Sequence, residues 1–492
     1  MRFFTLALGA ACSLACGSAI QEPPKASEQP APPSAEAPSA VPGNAASCPR
    51  AAALDRKAIS EELVCLLRQY VQIDSTNPPG NEMQTARFLE QVLARDGIVA
   101  ELIESAPGRA NLIARLKGQS PGHATMLMHH MDVVPASAAD WSVPPFEARL
   151  ADGYVWGRGS LDNKGAGVAE IIAAALFARM GVALKHDLVL LALADEESGG
   201  AAGARFLTEH RKAAFDDVEL ILNEGGGMLV LAEGRPPLYT VELAQKAPLW
   251  LRLTARGKSG HGSAPTPNAA AAVLSRALGR VASHSFPILV VPEVQALFAA
   301  RAMAMPEAER APFLNLSSAL QNPAFRARFS EDPHDAALVQ NTVAITMLSG
   351  SAKENVISEQ ASAVLDVRLL PGQDPKVVSA ELTRVMAEPS LTLEPILSWQ
   401  AHRSPRDTPL FAAIERLAHE RHPGAPVSGN VIGSFTDCNA FRAIGKICYG
   451  FLPVQIRLDD IQRIHGKDER VSVEALTDAV VDLHALISML GS

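Results

Sequence analysis

The chain has 492 residues, 48% apolar and 20% charged, enough to bury a large core and to form more than one domain. Its formal net charge of -9 argues against nucleic acid as a partner. Beyond the N-terminus no stretch reaches about 18 uninterrupted apolar residues, so no spanning helix is expected in the mature body.

Residues 1–20 read as an export signal. Met1-Arg2 gives a positive start, and Phe3 to Ala15 is apolar but too short and too rich in small residues for a membrane span. Ser13-Leu14-Ala15-Cys16-Gly17 resembles a bacterial lipoprotein cleavage box in which Cys16 would be acylated, although Ser13 stands where an aliphatic residue is usual. Residues 21–50, rich in Pro, Ala, Ser and Glu, read as a disordered tether. The protein is therefore expected outside the cytoplasm: periplasmic, anchored to a membrane through that lipid alone, or secreted. Of six cysteines, Cys12 and Cys16 fall in the signal. Cys48, Cys65, Cys438 and Cys448 remain in a compartment where disulfides form. Cys438 and Cys448 are the nearer pair, but spacing alone does not fix connectivity. No CxxC spacing occurs, which argues against thiolate-bound zinc.

Residues 51–246 alternate helix and strand. Asp55 to Val71 carries Leu63, Leu66, Leu67, Tyr70 and Val71 at helical spacing. Ser75-Thr76-Asn77-Pro78-Pro79-Gly80-Asn81 is a turn cluster, and Glu82 to Asp96 predicts a second helix. Strands are predicted over 98–104 and 111–116. The apolar run Ala124 to Met128 predicts a short buried strand ending in His129, His130 and Asp132. A glycine-dense loop, Gly153 to Gly167, holds Asp162 and leads into a helix over 168–180. His186 to Ala194 is a second apolar run, ending in Asp195-Glu196-Glu197-Ser198-Gly199-Gly200, and Val218 to Leu222 a third, ending in Asn223-Glu224-Gly225. Successive acids at the end of a buried strand repel one another, and a cation relieves that. Taken singly, each strand end has a plain explanation: a satisfied histidine, a helix cap or a solvated turn. Three such ends in one βαβα alternation predict an α/β fold with a mostly parallel sheet, helices on both faces and polar residues on one rim.

The texture changes over residues 247–400. Strands over 249–255, 343–348, 363–369 and 391–397 combine with helices over 269–283 and 375–386. This βαββαβ order predicts an inserted α+β lid or dimerisation domain, itself carrying a proline-punctuated helical insertion over 284–340. The α/β pattern resumes over 401–492 and completes the catalytic domain. It includes loops at Thr436-Asp437 and at His465-Gly466-Lys467-Asp468-Glu469-Arg470, and a closing helix over 473–490.

The ligand candidates are His130, Asp162, Glu197, Glu224 and His465. Imidazole and carboxylate without thiolate suit zinc, cobalt or manganese. Five ligands exceed the needs of one tetrahedral ion, whereas two ions about 3.5–4 Å apart that share Asp162 would use them all.

The ordered motifs resemble the co-catalytic zinc metallopeptidases that include carboxypeptidase G, aminoacylase, carnosinase-type dipeptidases, succinyl-diaminopimelate desuccinylase and carboxypeptidase S. They are His130-Met131-Asp132-Val133-Val134-Pro135, Gly157-Arg158-Gly159-Ser160-Leu161-Asp162-Asn163-Lys164-Gly165, Asp195-Glu196-Glu197-Ser198-Gly199-Gly200, Asn223-Glu224-Gly225-Gly226, the His261 loop, Asp366-Val367-Arg368 and His465-Gly466. The resemblance runs from Asp55 to the C-terminus, and the long insertion and Asn-Glu-Gly-Gly form favour the carboxypeptidase S-like branch. It implies one ion on His130, Asp162 and Glu224 and another on Asp162, Glu197 and His465. Asp132 would orient His130, and Glu196 would be the general base for a metal-activated water attacking an amide carbonyl. His261 would stabilise the oxyanion, and Arg368 would grip a substrate carboxylate. Asn355 and the Gly433-Ser434-Phe435-Thr436-Asp437 loop, through Ser434 and Thr436, would assist. His129, Asn163 and Asp468 depart from the usual pattern without removing a ligand. In many dimeric relatives the lid histidine serves the partner's site.

The implied activity is cleavage of the amide next to a free carboxylate in a dipeptide or short peptide. The alternative is an N-acyl amino acid, fatty-acyl ones included. A non-catalytic lipoprotein that binds peptides is the competing class, and a missing ligand or a missing Glu196 would have favoured it. Neither is missing.

Overall fold

The computed structural model describes residues 45–232 and 234–491. The export signal, with Cys12 and Cys16, and residues 21–44 of the expected tether lie outside the described residues. Order begins earlier than composition suggests. Ala45, Cys48 and Ala51 are buried, and a Cys48–Cys65 disulfide pins this segment to the helix Arg56–Gln72. Arg95 donates to the carbonyls of Cys48 and Pro49, and Arg179 to that of Ala51.

The three apolar runs are adjacent strands of one ten-stranded sheet. Leu188–Leu193, Ala124–His130 and Val218–Asn223 pair in parallel, with His130 opposite Leu193. Their residues are buried almost throughout, as expected of parallel strands covered on both faces. Arg109–Leu116 and Ala100–Ala106 extend the sheet antiparallel on one side. Ile447–Gly450 continues it in parallel on the other, followed by Leu238–Gln245, Gly227–Val230 and Gln455–Arg457. On one face the helices Arg56–Gln72, Glu82–Ala94, Gly165–Arg179 and Val473–Leu490 contribute Leu63, Phe88, Leu176 and Leu483 to a common core. On the other, Met126, Met128 and Leu191 meet Leu207, Phe215 and Phe441, beside a Cys438–Cys448 disulfide. Gly165–Arg179 is alanine-rich and buried all round from Gly165 to Phe177, so it packs as a central helix rather than a surface one.

A separate four-stranded antiparallel sheet has the order Thr342–Ser349, Gln360–Leu369, Ala247–Arg256, Leu391–Ser398. The helices Ala270–Ala282 and Pro375–Met386 cover it, and Leu251, Leu253, Leu274, Leu365 and Leu382 form its core. This is the expected βαββαβ arrangement. The helical insertion between its first two long strands packs elsewhere. Val294, Leu297, Phe298 and Phe329 rest on Leu238, Ala244 and Val431 of the large sheet. Among the described residues no helix is long and apolar enough to cross a membrane.

Candidate metal centre

Parallel pairing places His130, the turn after Leu193, and Glu224 on one rim. Alternation along the strand separates the two histidines. His130 faces the rim, while His129 turns to the opposite side, where its Nδ1 lies 3.0 Å from Glu170 Oε2 and its Nε2 3.4 Å from the Tyr70 hydroxyl. A Cβ at Gly167 would come within 2.3 Å of His129, so glycine there makes room for the ring.

His130 is nearly inaccessible. Its Nδ1 lies 2.9 Å from the carbonyl oxygen of Asp132 and 3.6 Å from Asp132 Oδ1. That leaves Nε2 aimed at Asp162 Oδ1, at 3.0 Å, and Glu224 Oε2, at 3.6 Å. His465 Nε2 lies 3.2 Å from Asp162 Oδ2 and 3.1 Å from Glu197 Oε2. Ligand atoms of His130, Glu196 and Glu224 lie within 4.8 Å of one another, as do those of His130, Asp162 and Glu197. The five expected ligands and Glu196 therefore converge.

Asp132 meets the His130 ring through its backbone carbonyl, and its carboxylate holds the neighbouring turn. Its Oδ1 accepts from the Glu196 N–H at 3.1 Å, and its Oδ2 from the Glu197 N–H at 3.2 Å and from Asn77 Nδ2 at 2.8 Å. It thus fixes the turn that carries Glu196 and Glu197, in which Asp195 adopts a left-handed backbone. Asn77 also donates to Asp195 at 3.0 Å, and Asn163 donates to Glu224 at 2.9 Å. Asn77 and Asn163 were not singled out as site residues from the sequence, although both lie in segments recognised as turn or loop. Glu469 was also missed. It is buried and accepts from the N–H groups of Gly159, Leu161 and Asp162.

Electrostatics mark the cluster as short of cations. Burial, with Glu224, Glu197 and Asp437 nearby, holds Glu196 well above the usual carboxylate range. Burial likewise raises Glu197 to about 7. Burial also opposes ionisation of Asp162, but hydrogen bonds from His130 and His465 outweigh it and hold that carboxyl far down. Hydrogen bonds to Asp162 and Glu197 raise His465 to about 10. Glu197 Oε1 is buried and finds no hydrogen-bond partner among the described residues. A donor set of two imidazoles and several desolvated carboxylates, one with an orphaned oxygen, fits hard or borderline divalent cations.

The remaining candidates engage other partners. His261 is exposed on the short strand Gly260–His261, paired with Val356–Ile357, and its Nδ1 lies 2.7 Å from Ser263 Oγ. Asn355 adjoins it and accepts from the Gly262 N–H. Arg368 is bound at two points by Asp366, at 2.7 and 3.0 Å, and lies against the rings of Trp250 and Phe435. Ser434 is exposed. Thr436 is buried, and its hydroxyl donates to Gln245 Oε1 at 2.9 Å while Gln245 Nε2 donates to its carbonyl.

A parallel α/β sheet with a carboxylate–imidazole rim and an inserted α+β lid defines a metallopeptidase or amidohydrolase. The chain belongs to the peptidase family M20/M25/M40, whose profile matches residues 126–488. It is 29% identical over 357 residues to N-fatty-acyl-amino acid synthase/hydrolase PM20D1 of Xenopus tropicalis, covering 71% of this chain and 69% of that one. It is 27% identical to a probable carboxypeptidase S-like 2 of Dictyostelium discoideum, covering 71% and 68%, and 26% identical to aminoacylase-1 of Sus scrofa, covering 87% and 95%. The fold matches an M20 family metallo-carboxypeptidase from Sulfolobus solfataricus with a TM-score of 0.68 at 17% identity, covering 87% of this chain and 99% of that one. Human carnosine dipeptidase 1 matches with a TM-score of 0.65 at 18% identity, covering 89% and 98%. A Bacillus subtilis M20 protein described as a dinuclear metal-binding peptidase matches at 0.56 and 15%, covering 89% and 100%. The chain is thus a hydrolase of the peptidase and aminoacylase type.

Proposed function

We propose that this hydrolase cleaves the amide bond next to a free carboxylate in dipeptides, short peptides or N-acyl amino acids, using two divalent ions, with zinc the best fit and cobalt or manganese acceptable. His130, Asp162 and Glu224 would hold one ion, and Asp162, Glu197 and His465 the other. Bound there, the ions supply a water acidified toward neutral pH and a Lewis-acid contact for the amide carbonyl. Glu196, fixed through its N–H to Asp132, stands beside that position as the proton acceptor and then delivers the proton to the leaving nitrogen. Its buried, basic carboxylate suits both roles. Arg368 would hold the substrate carboxylate, and His261 the developing oxyanion, with Asn355, Ser434 and Thr436 shaping the surroundings.

The observation that carries this reading is the division of one aspartate, Asp162, between two imidazoles. The N-fatty-acyl amino acid reading draws support from the Xenopus relative's named activity over most of the chain. A panel of dipeptides and N-acyl amino acids, assayed before and after chelation, separates the two. Chelator-insensitive turnover, or none on either class with two metals bound, would sink the proposal.

Export with acylation of Cys16 is the accompanying reading, and the disulfides Cys48–Cys65 and Cys438–Cys448 support an oxidising compartment. Radiolabelled palmitate should enter the protein and be lost on Cys16→Ser. Pairing of two copies through the lid is also proposed. Thr342–Ser349 is a sheet edge with Met347 65% and Leu348 69% exposed, which a second copy would cover. A monomeric mass by sedimentation at micromolar concentration would rule that out.

A further inference from the structure

We infer that the buried Arg158–Glu469 pair is a positioning device that bears chiefly on the ion assigned to Asp162, Glu197 and His465, because it holds both Asp162 and the His465 loop of that set but only the shared Asp162 of the other. The inference rests on the two-ion reading above. Glu469 and Asp162 lie 307 positions apart in the chain yet meet through a direct hydrogen bond. Oε1 of Glu469 accepts from the N–H of Leu161 at 2.8 Å and of Asp162 at 3.0 Å. Its Oε2 accepts from the N–H of Gly159 at 3.1 Å and from Arg158 Nη1 at 2.6 Å. A carboxylate that accepts from several backbone N–H groups of one segment fixes the conformation of that segment. Here that segment ends in the shared aspartate. Gly159 has a left-handed backbone, φ +82°, and a Cβ there would come within 2.5 Å of Val133, so the loop has little freedom to reach this arrangement another way.

The same pair holds the second ligand arm. Arg158 Nη2 donates to the carbonyl of Gly466 at 2.8 Å, next to His465, and Glu469 itself comes four positions after His465. The backbone carbonyl of Glu469 also accepts from the Gly157 N–H at 2.9 Å. Arg158 and Glu469 are both buried, with side-chain exposures of 2% and 0%. Their ion pair therefore sets the separation between Asp162 and His465. His130 and Glu224 stand at the ends of the paired strands Ala124–His130 and Val218–Asn223, so the other ion feels the pair only through the Asp162-Asn163 segment, whose Asn163 donates to Glu224.

A glutamine at 469 keeps the shape but offers one acceptor oxygen and turns an NH2 toward groups that also donate. Calorimetric titration of the metal-stripped full chain with Zn(II) tests the inference. The wild type should take two ions. Glu469→Gln should bind one ion roughly 10–100-fold more weakly and the other, which shares only Asp162 with it, with a distinctly smaller loss, and raised free Zn(II) should restore its turnover. A general loss of folded protein would weaken both ions together. Arg158→Lys, which keeps the charge but gives up the fork to Gly466, should weaken the same ion to a smaller degree and provides the reading if Glu469→Gln does not fold. Two ions bound as in the wild type by these variants, or both ions weakened equally, would overturn the inference. A wild type that binds fewer than two ions would overturn instead the two-ion reading beneath it.

Discussion

Asp162 gives one carboxylate oxygen to each of two imidazoles: Oδ1 lies 3.0 Å from His130 Nε2 and Oδ2 3.2 Å from His465 Nε2. Those rings arrive from distant parts of the chain, one from a strand end and one from a loop near the C-terminus. Asp162→Asn replaces one ligating oxygen with an amide nitrogen that cannot ligate. Metal content after dialysis should fall below two per chain, and turnover should drop at least about 100-fold, the upper range for disturbed metal surroundings. Elemental analysis that finds two tightly held ions in the variant would remove Asp162 from the bridging position.

Glu196 has a carboxylate oxygen within 4.8 Å of ligand atoms of His130 and Glu224 and stands outside both proposed ligand sets. Glu196→Gln should therefore leave metal content unchanged and lower kcat by roughly 10²–10⁴, the range for general acid–base groups. Turnover within a few-fold of wild type would mean that another group moves the proton.

Much of the rim was legible because strands buried on both faces read as unbroken apolar runs, and the polar residues after each run must lie at the strand's end. His129 and His130 show the limit of that reading. They belong inside the strand, and the pleat sends one to the rim and the other to Glu170. Glu469 was illegible for a different reason. Its partners lie in residues 158–162, and no local pattern in an exposed-looking loop announces a carboxylate buried against distant backbone. Thr436 entered through resemblance alone, and its hydroxyl is already occupied by Gln245. The start of order at Ala45 escaped composition because a disulfide and two arginines, not apolar density, hold that segment.

Arg368 is held by Asp366 through Nε and Nη2, and Trp250 Nε1 steadies the same carboxylate at 2.9 Å. This fixes the guanidinium plane against Phe435 and leaves the Nη1 edge for a ligand. Arg368→Ala should raise KM for substrates with a free carboxylate by roughly 10–100-fold, matching about 1.5–3 kcal/mol for a charged hydrogen bond. Amidated analogues should lose nothing further. Equal losses on both substrate types would reduce the Arg368–Asp366 contact to a plain strand ion pair.

Lys246 joins the large sheet to the lid and the helical insertion at once. Its backbone N–H donates to Ile432, and its Nζ donates to the carbonyls of Ala337 and Gln340, both at 2.9 Å, and to Thr342 Oγ1 at 3.1 Å. Burial, with the Arg368 charge adding, lowers this ammonium from 10.5 to about 7. Between those two values the unfolded chain holds a proton that the folded chain has lost, so stability must rise with pH across that window and level off above it. Lys246→Met deletes the titration. Its other costs, such as the carbonyls left without a donor, do not vary with pH and cancel in the comparison. From pH 7 to pH 9 the wild type should gain on the order of 2 kcal/mol relative to the variant. Denaturant unfolding of both proteins at each pH reads this directly, and parallel stability curves would show that Lys246 keeps its proton when folded.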